Sequence, residues 1–168
     1  VQLSPIHLVE MMYLGIKVVG RPIEDGREKA AVGFNFEGVV MNEQAGIAAI
    51  GDAEDPKLFG VNLRIGISNE KGKIAPYDID VEAVGSFGIS PLIPKEKREE
   101  LVLVNGCAIL YSAIRDQVMT LTARSYHGTL ILPTVNFLDK VKRTETPDTN
   151  KNPDAEITAP RPKRKKKA

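Results

Sequence analysis

NGCAILYSAIRDQVMTLTARSYHGTLILPTVNF, running from Asn105 to Phe137, joins the pattern of an amphipathic helix to an apolar loop that ends in Pro-x-Val-Asn-Phe. Leu103, Cys107, Leu110, Ile114, Val118 and Leu121 recur at intervals of four and three, which sets them on one stripe of a helix that needs a surface to cover. The loop that follows carries no group suited to acid, base or nucleophilic chemistry. The β-rich sequence upstream supplies the surface.

Four strands are predicted there. Ile6 to Val19 is apolar at both parities, with Ile6, Leu8, Met12, Leu14, Ile16 and Val18 on one face and Val9, Met11, Tyr13 and Val19 on the other. A turn-rich crossover from Arg21-Pro22 to Asp25-Gly26 leads to a second strand along which Val32, Phe34, Phe36 and Val40 alternate. Asn42 to Pro56 reads as a loop, with Ala45, Ile47 and Ala49 in a short helical or irregular piece. Phe59, Val61, Leu63, Ile65 and Ile67 alternate with polar or small residues, Asn69 to Lys73 turns the chain, and Tyr77, Ile79, Val81, Ala83, Phe87 and Ile89 return it. That is a hairpin with one apolar face, and it points Asp78, Asp80 and Glu82 to the opposite side. Pro91 and Pro94 close the strand before a long helix from Lys95, and a short final helix is expected over Phe137 to Arg143. Strands followed by helices predict an α+β fold, a four-stranded antiparallel sheet with its helices on one face.

A chain of 168 residues with 42% hydrophobic content suffices for one core, and its 5% aromatic content with no Trp leaves aliphatic side chains to fill it. Net charge of +1 conceals a division. Lys142 to Ala168 holds nine Lys or Arg against four Asp or Glu, a net of +5, which leaves the body, 1–141, with fourteen basic and eighteen acidic residues, a net of −4. The domain is therefore expected over 1–141. The remainder, 142–168, with Pro147, Pro153, Pro160 and Pro162 and almost nothing to bury, is expected to be a disordered basic tail. Its ending, Arg161 to Lys167, could neutralise phosphates, so nucleic-acid binding through the tail is one functional class, beside a merely solubilising role.

No apolar run reaches the roughly 20 residues of a membrane helix, and no membrane insertion is expected. The polar residues Ser4, His7, Glu10 and Lys17 spoil a signal-peptide reading of Val1 to Val19, so a cytoplasmic address is expected. An enzyme is not. His7 and His127 stand far apart, neither has a second ligand at metal spacing, and the single Cys107 falls on the helical stripe as a small hydrophobe. Gly85-Ser-Phe-Gly88 precedes no helix at the right distance and no phosphate-cradling Gly-x-x-x-x-Gly-Lys occurs, so no cofactor is expected. His127 and Arg124, near the end of the helix, read as charges that cap it. Catalytic and metal-binding residues are accordingly none.

The helix and its exit loop resemble the SecB family of tetrameric protein-export chaperones. Ile109-Leu110-Tyr111, Arg115, Arg124, Leu130, Leu132 and Val135-Asn136-Phe137 follow the family's order without a gap, with Ser112 where the family has Pro. Losing that ring predicts a straighter helix. The resemblance implies an ATP-independent holdase that keeps unfolded preproteins soluble, assembled as a homo-oligomer, a dimer of dimers with sheets outside and helices between. It also implies a peptide groove beside the exit loop and the crossover. On this chain that nominates Tyr126, Leu130, Ile131 and Leu132 from the loop with Phe59 and Val61 from the third strand, although each taken singly fits a core or protomer contact as well. Family members dock the translocase motor ATPase through acidic residues on the outer sheet face, for which Asp78, Asp80 and Glu82 are the matching positions. Gly15 and Val19 stand where further acids occur, and the chain's end is basic. A SecB-like subclass dedicated to toxin–antitoxin pairs, with an antitoxin as partner, is the alternative the resemblance carries.

Overall fold

The computed structural model of the protein describes residues 3–22 and 31–140. The tail expected over 142–168 lies outside the described residues, as does most of the expected crossover. Four strands precede one helix: β1 (Ile6–Gly20), β2 (Asn42–Ile50), β3 (Leu58–Ile67), β4 (Tyr77–Ile89) and α1 (Lys95–Thr122), with a single 3₁₀ turn at Leu138–Lys140. The sheet is antiparallel throughout in the order β1-β4-β3-β2, so that β1 and β2 are its two edges. This is the expected α+β architecture.

The β3–β4 hairpin forms as its alternation predicts. Phe59, Val61, Leu63, Ile65 and Ile67 share one face with Tyr77, Ile79, Val81, Ala83 and Phe87, and all are buried. Asn69, in the left-handed region at φ 57°, closes the turn with its own side chain. Its amide donates to Tyr77 O at 3.0 Å, and its carbonyl accepts from Ala75 N at 2.6 Å. An Asn tolerates that backbone because its short polar group can make such local bonds.

Helix α1 lies across this apolar face and buries Val102, Gly106, Leu110, Ile114, Val118 and Thr122. Of the stripe read from sequence, Cys107, Leu110, Ile114 and Val118 are fully buried, Leu103 is half-buried and Leu121 turns outward. The helix packs tightly on the sheet at Gly106, where a Cβ would sit 3.0 Å from Val61 Cγ2 and 3.3 Å from Phe87 Cε2. It runs unbroken through Ser112, whose hydroxyl donates to Ala108 O at 2.9 Å instead of breaking the ladder. By length and composition α1 could also cross a membrane, with a window of mean hydropathy 1.2, but its buried stripe on β3 and β4 accounts for that apolarity.

Two expectations are corrected. The strand predicted over Val32–Val40 is a pair of turns, with Phe34 N to Ala31 O at 3.3 Å and Val39 N to Phe36 O at 2.9 Å, and with Gly33 and Gly38 at positive φ. Phe34 and Phe36 alternate in sequence but stack edge-on at 5.1 Å, and Lys73 Nζ sits 4.8 Å over the Phe34 ring. The second strand lies instead in the stretch read as a loop, Asn42–Ile50, whose Ala-Gly-Ile-Ala-Ala sequence holds only one of the branched residues that announce strands. Of the final helix expected over Phe137 to Arg143, the described residues show the 3₁₀ turn Leu138–Lys140, with Lys140 Nζ 3.1 Å from Glu43 Oε1; residues 141–143 lie outside the described part.

Candidate peptide-binding surface

β1 is long and apolar at both parities, and the pairing with β4 explains why. Register breaks fall between Leu8 and Glu10 and between Tyr13 and Gly15, so Val9 and Leu14 are bulged and each shifts the parity by one. Ile6, Leu8, Met11, Tyr13, Ile16 and Val18 therefore face the helix side, opposite Ile89, Phe87, Gly85, Ala83, Val81 and Ile79. Met11 and Tyr13 thus join the face from which sequence parity excluded them, and Met12 leaves it. Tyr13 reaches across to α1, donating to Ala113 O at 2.9 Å. Helix α1 leaves Leu8 and Ile16 partly uncovered on its own side, while Met12 and Val19 face the other. Leu8, Val9, Met12, Leu14, Ile16 and Val19 remain between 40% and 60% exposed. Sequence reading recognised that β1 had two apolar faces but not which residues would stay uncovered, because bulges leave no compositional mark.

The six residues nominated for the groove divide by burial. Tyr126 and Ile131 are 65% and 50% exposed, whereas Phe59, Val61, Leu130 and Leu132 belong to the core of the folded chain, with Leu130 and Leu132 fully buried. The exit loop alternates Leu130 in, Ile131 out, Leu132 in, as an extended segment does. Its polar bonds hold it there. Leu130 N donates to Thr122 Oγ1 at 2.9 Å, the same hydroxyl donates to Val118 O at 2.8 Å, and Tyr111 donates to Pro133 O. Tyr111 also meets Phe137 edge-on at 5.8 Å, and burial pushes its phenol up to about 12. Phe59, though buried, is also among the residues that line an open pocket of about 480 Å³ with Ala49, Ala53, Pro56, Lys95, Glu96 and Glu99.

His127 is not a helix cap. Its buried ring is bonded to Arg21 O at 2.7 Å, its own carbonyl accepts from Ala31 N at 3.2 Å, and it meets Tyr77 edge-on at 5.4 Å. One residue, through its ring and its carbonyl, thereby ties the exit loop to Arg21 and to Ala31.

Asp78, Asp80 and Glu82 lie on the outer face, as the alternation of β4 predicted, but they are not a bare acidic strip. Arg64 grips Asp80 through Nε and Nη2 at 2.7 and 2.6 Å, and Asp78 meets Asn69 Nδ2 at 2.7 Å and Arg21 Nη1 at 3.5 Å. The Arg64 fork holds the Asp80 carboxyl below its usual range. A carboxyl lowered on folding contributes stability above its unfolded value, near 4, and loses it as pH falls through the folded value. Because both partners are more than a third exposed, solvent screens most of the gain. Asp80→Asn should lower the urea midpoint slightly at pH 7, and the gap to the parent should close below about pH 4, a pH series of denaturation curves being the check.

Among the described residues no group of three or more His, Cys, Asp or Glu could hold a metal ion. Burial pushes the Cys107 thiol up to about 11, so at neutral pH it stays protonated and packs as a small hydrophobe.

No family model and no curated protein matches this chain. Solved structures do. One is a SecB-like chaperone of Mycobacterium tuberculosis in complex with a ChAD peptide from an antitoxin, at 18% identity and a TM-score of 0.49 over 78% of this chain and 91% of that one. Another is a protein of unknown function from Streptococcus agalactiae, at 13% identity and a TM-score of 0.50 over 77% of this chain and 97% of that one. At such identities the likeness is one of fold alone, an antiparallel four-stranded sheet carrying a single long helix.

Proposed function

We propose that the protein is an ATP-independent holdase of the SecB-like kind, which binds non-native polypeptides through apolar surface left over when one subunit has folded. The observation that carries this reading is the apolar surface left on both faces of β1, Leu8 and Ile16 on the helix side, Met12 and Val19 on the outer side and Val9 and Leu14 at the bulges, together with Tyr126 and Ile131 exposed on the exit loop. Apolar surface of that extent on a single chain marks an interaction site. Its partners are further copies of the chain, as a dimer of dimers, and unfolded segments of no fixed sequence. Burying one client side chain of Leu or Val size is worth about 1.5–3 kcal/mol, so a few suffice to delay aggregation without a chemical step. The order of residues from Ile109 to Phe137 supports the same family.

The neutralised outer face favours a dedicated client over the export motor. With Asp80 held by Arg64 and Asp78 by Arg21 and Asn69, two of the three acids are already engaged and less negative charge is left for a basic partner. An antitoxin is then the client class to test beside preproteins.

The test is suppression of aggregation of a reduced, unfolding protein in the absence of ATP. The parent should suppress it at near-equimolar concentration. Val9→Ser combined with Leu14→Ser removes two exposed bulge side chains without touching the core, and should raise the required concentration by about tenfold or more. Equal suppression by parent and variant would remove β1 from the site, and absence of suppression by the parent would remove the function.

A further inference from the structure

The acids of the folded chain are unevenly engaged. Arg64 holds Asp80, Arg21 meets Asp78, Arg98 and Lys57 share Asp55, and Lys140 lies on Glu43. Glu96, Glu99 and Glu100 have no such partner among the described residues, although Lys95 and Lys97 stand beside them in sequence. With Leu103 they recur at intervals of three and four, which makes them one ridge of α1. Like charges at those intervals repel, and the dipole of the helix compensates only in its first turn, where Glu96 stands. Glu99 and Glu100 belong to the second. The ridge adjoins the point at which the described part of the chain stops: Lys140, the last described residue, lines an open pocket with Glu96, Glu99, Glu100 and Leu103. The sequence beyond Lys140 is basic, and Arg161 to Lys167 holds six Lys or Arg with no acid among them.

We propose that the basic segment Arg161–Lys167 docks on the ridge of Glu96, Glu99 and Glu100 of its own subunit, closing the chain back on the start of α1. Reach is no obstacle. The intervening residues, 141–160, begin beside the ridge, and a chain spans up to about 3.3 Å per residue. Each exposed ion pair is weak by itself. Covalent attachment raises the local concentration of the segment to about the millimolar range, which lets several weak pairs act together. A segment held in this way is not free to neutralise phosphates, so a polyanion and the ridge compete for it. The proposal stands apart from the holdase reading, and neither depends on the other.

A nitroxide carried by Ala168→Cys in the full chain tests the proposal by NMR, since Cys107 is buried and protonated at neutral pH and so escapes the label. At low salt the relaxation enhancement of amides over 96–103 should exceed that anywhere else in 31–140. It should fall at least about threefold in about 1 M salt, where the Debye length is roughly 3 Å. Glu96→Gln, Glu99→Gln and Glu100→Gln together should abolish it without lowering the urea midpoint, because repulsion along the ridge goes with the charges. Lys163→Ser, Arg164→Ser, Lys165→Ser, Lys166→Ser and Lys167→Ser together should abolish it as well, with every described residue left unchanged. A mixture in which nitroxide and isotope label sit on different chains should show little of it. No enhancement on the ridge, enhancement that survives either set of substitutions, or full enhancement between different chains would overturn the proposal.

Discussion

Replacing Leu130 and Leu132 together by Ser is expected to unfold the protein, not merely to weaken binding. Both side chains are fully buried against the sheet-and-helix core. Truncating one buried Leu costs roughly 2–5 kcal/mol, and a hydroxyl without a partner adds to that. The pair therefore approaches the whole stability of a domain, about 5–15 kcal/mol. Far-UV circular dichroism and a urea titration read the loss. Tyr126→Ser with Ile131→Ser, at the exposed positions of the same loop, should leave the urea midpoint almost unchanged and weaken client capture. If the Leu130 and Leu132 double variant stayed folded with a parental midpoint, the loop would not be part of the core.

Arg98→Ala is the second large effect. Although Arg98 sits in the polar-looking start of α1, Lys95-Glu-Lys-Arg-Glu-Glu100, it is 5% exposed and ties three backbone carbonyls together. Its Nε donates to Ile93 O at 2.8 Å, Nη1 to Pro56 O at 3.1 Å and Nη2 to Pro91 O at 3.1 Å, and Asp55 Oδ1 lies 2.6 Å from Nη1. Pro94 supplies no side-chain cap to the helix, so this guanidinium does the joining of strand end, β2–β3 loop and helix start. Removing it strands the acceptors and should cost roughly 3 kcal/mol, measured as a shift of the urea midpoint. Arg98→Lys should recover only part of the loss, since an ammonium cannot present a planar fork to several carbonyls at once.

Regularity decided what could be read from the chain. The β3–β4 hairpin and α1 were legible because nothing interrupts their periods: odd residues from Phe59 to Ile67 and from Tyr77 to Phe87 all turn inward, and the helical stripe misses only at Leu103 and Leu121. β2 was missed because an edge strand of Ala and Gly has its identity set by pairing with β3 and not by its own side chains. Phe34 and Phe36 misled for the converse reason, a strand-like alternation that two glycine turns override. At the site, the sequence located the loop Tyr126–Phe137 but gave no sign of which parity of Leu130, Ile131 and Leu132 faces inward. The bonds from Thr122 and Tyr111 on the helix decide that, 8 and 22 residues away in sequence, and no local pattern announces them. Arg98 was hidden among five charged neighbours whose side chains do not share its burial.

The central claim is that folding of one chain leaves apolar surface which other copies and unfolded polypeptide compete to cover. Light scattering of the full chain, alone and with a reduced unfolded protein at increasing ratio, weighs both halves of it at once. The account predicts a mass well above one chain for the protein alone and a heavier complex when the unfolded protein is added. A mass of one chain, unchanged by any excess of unfolded protein, would contradict it.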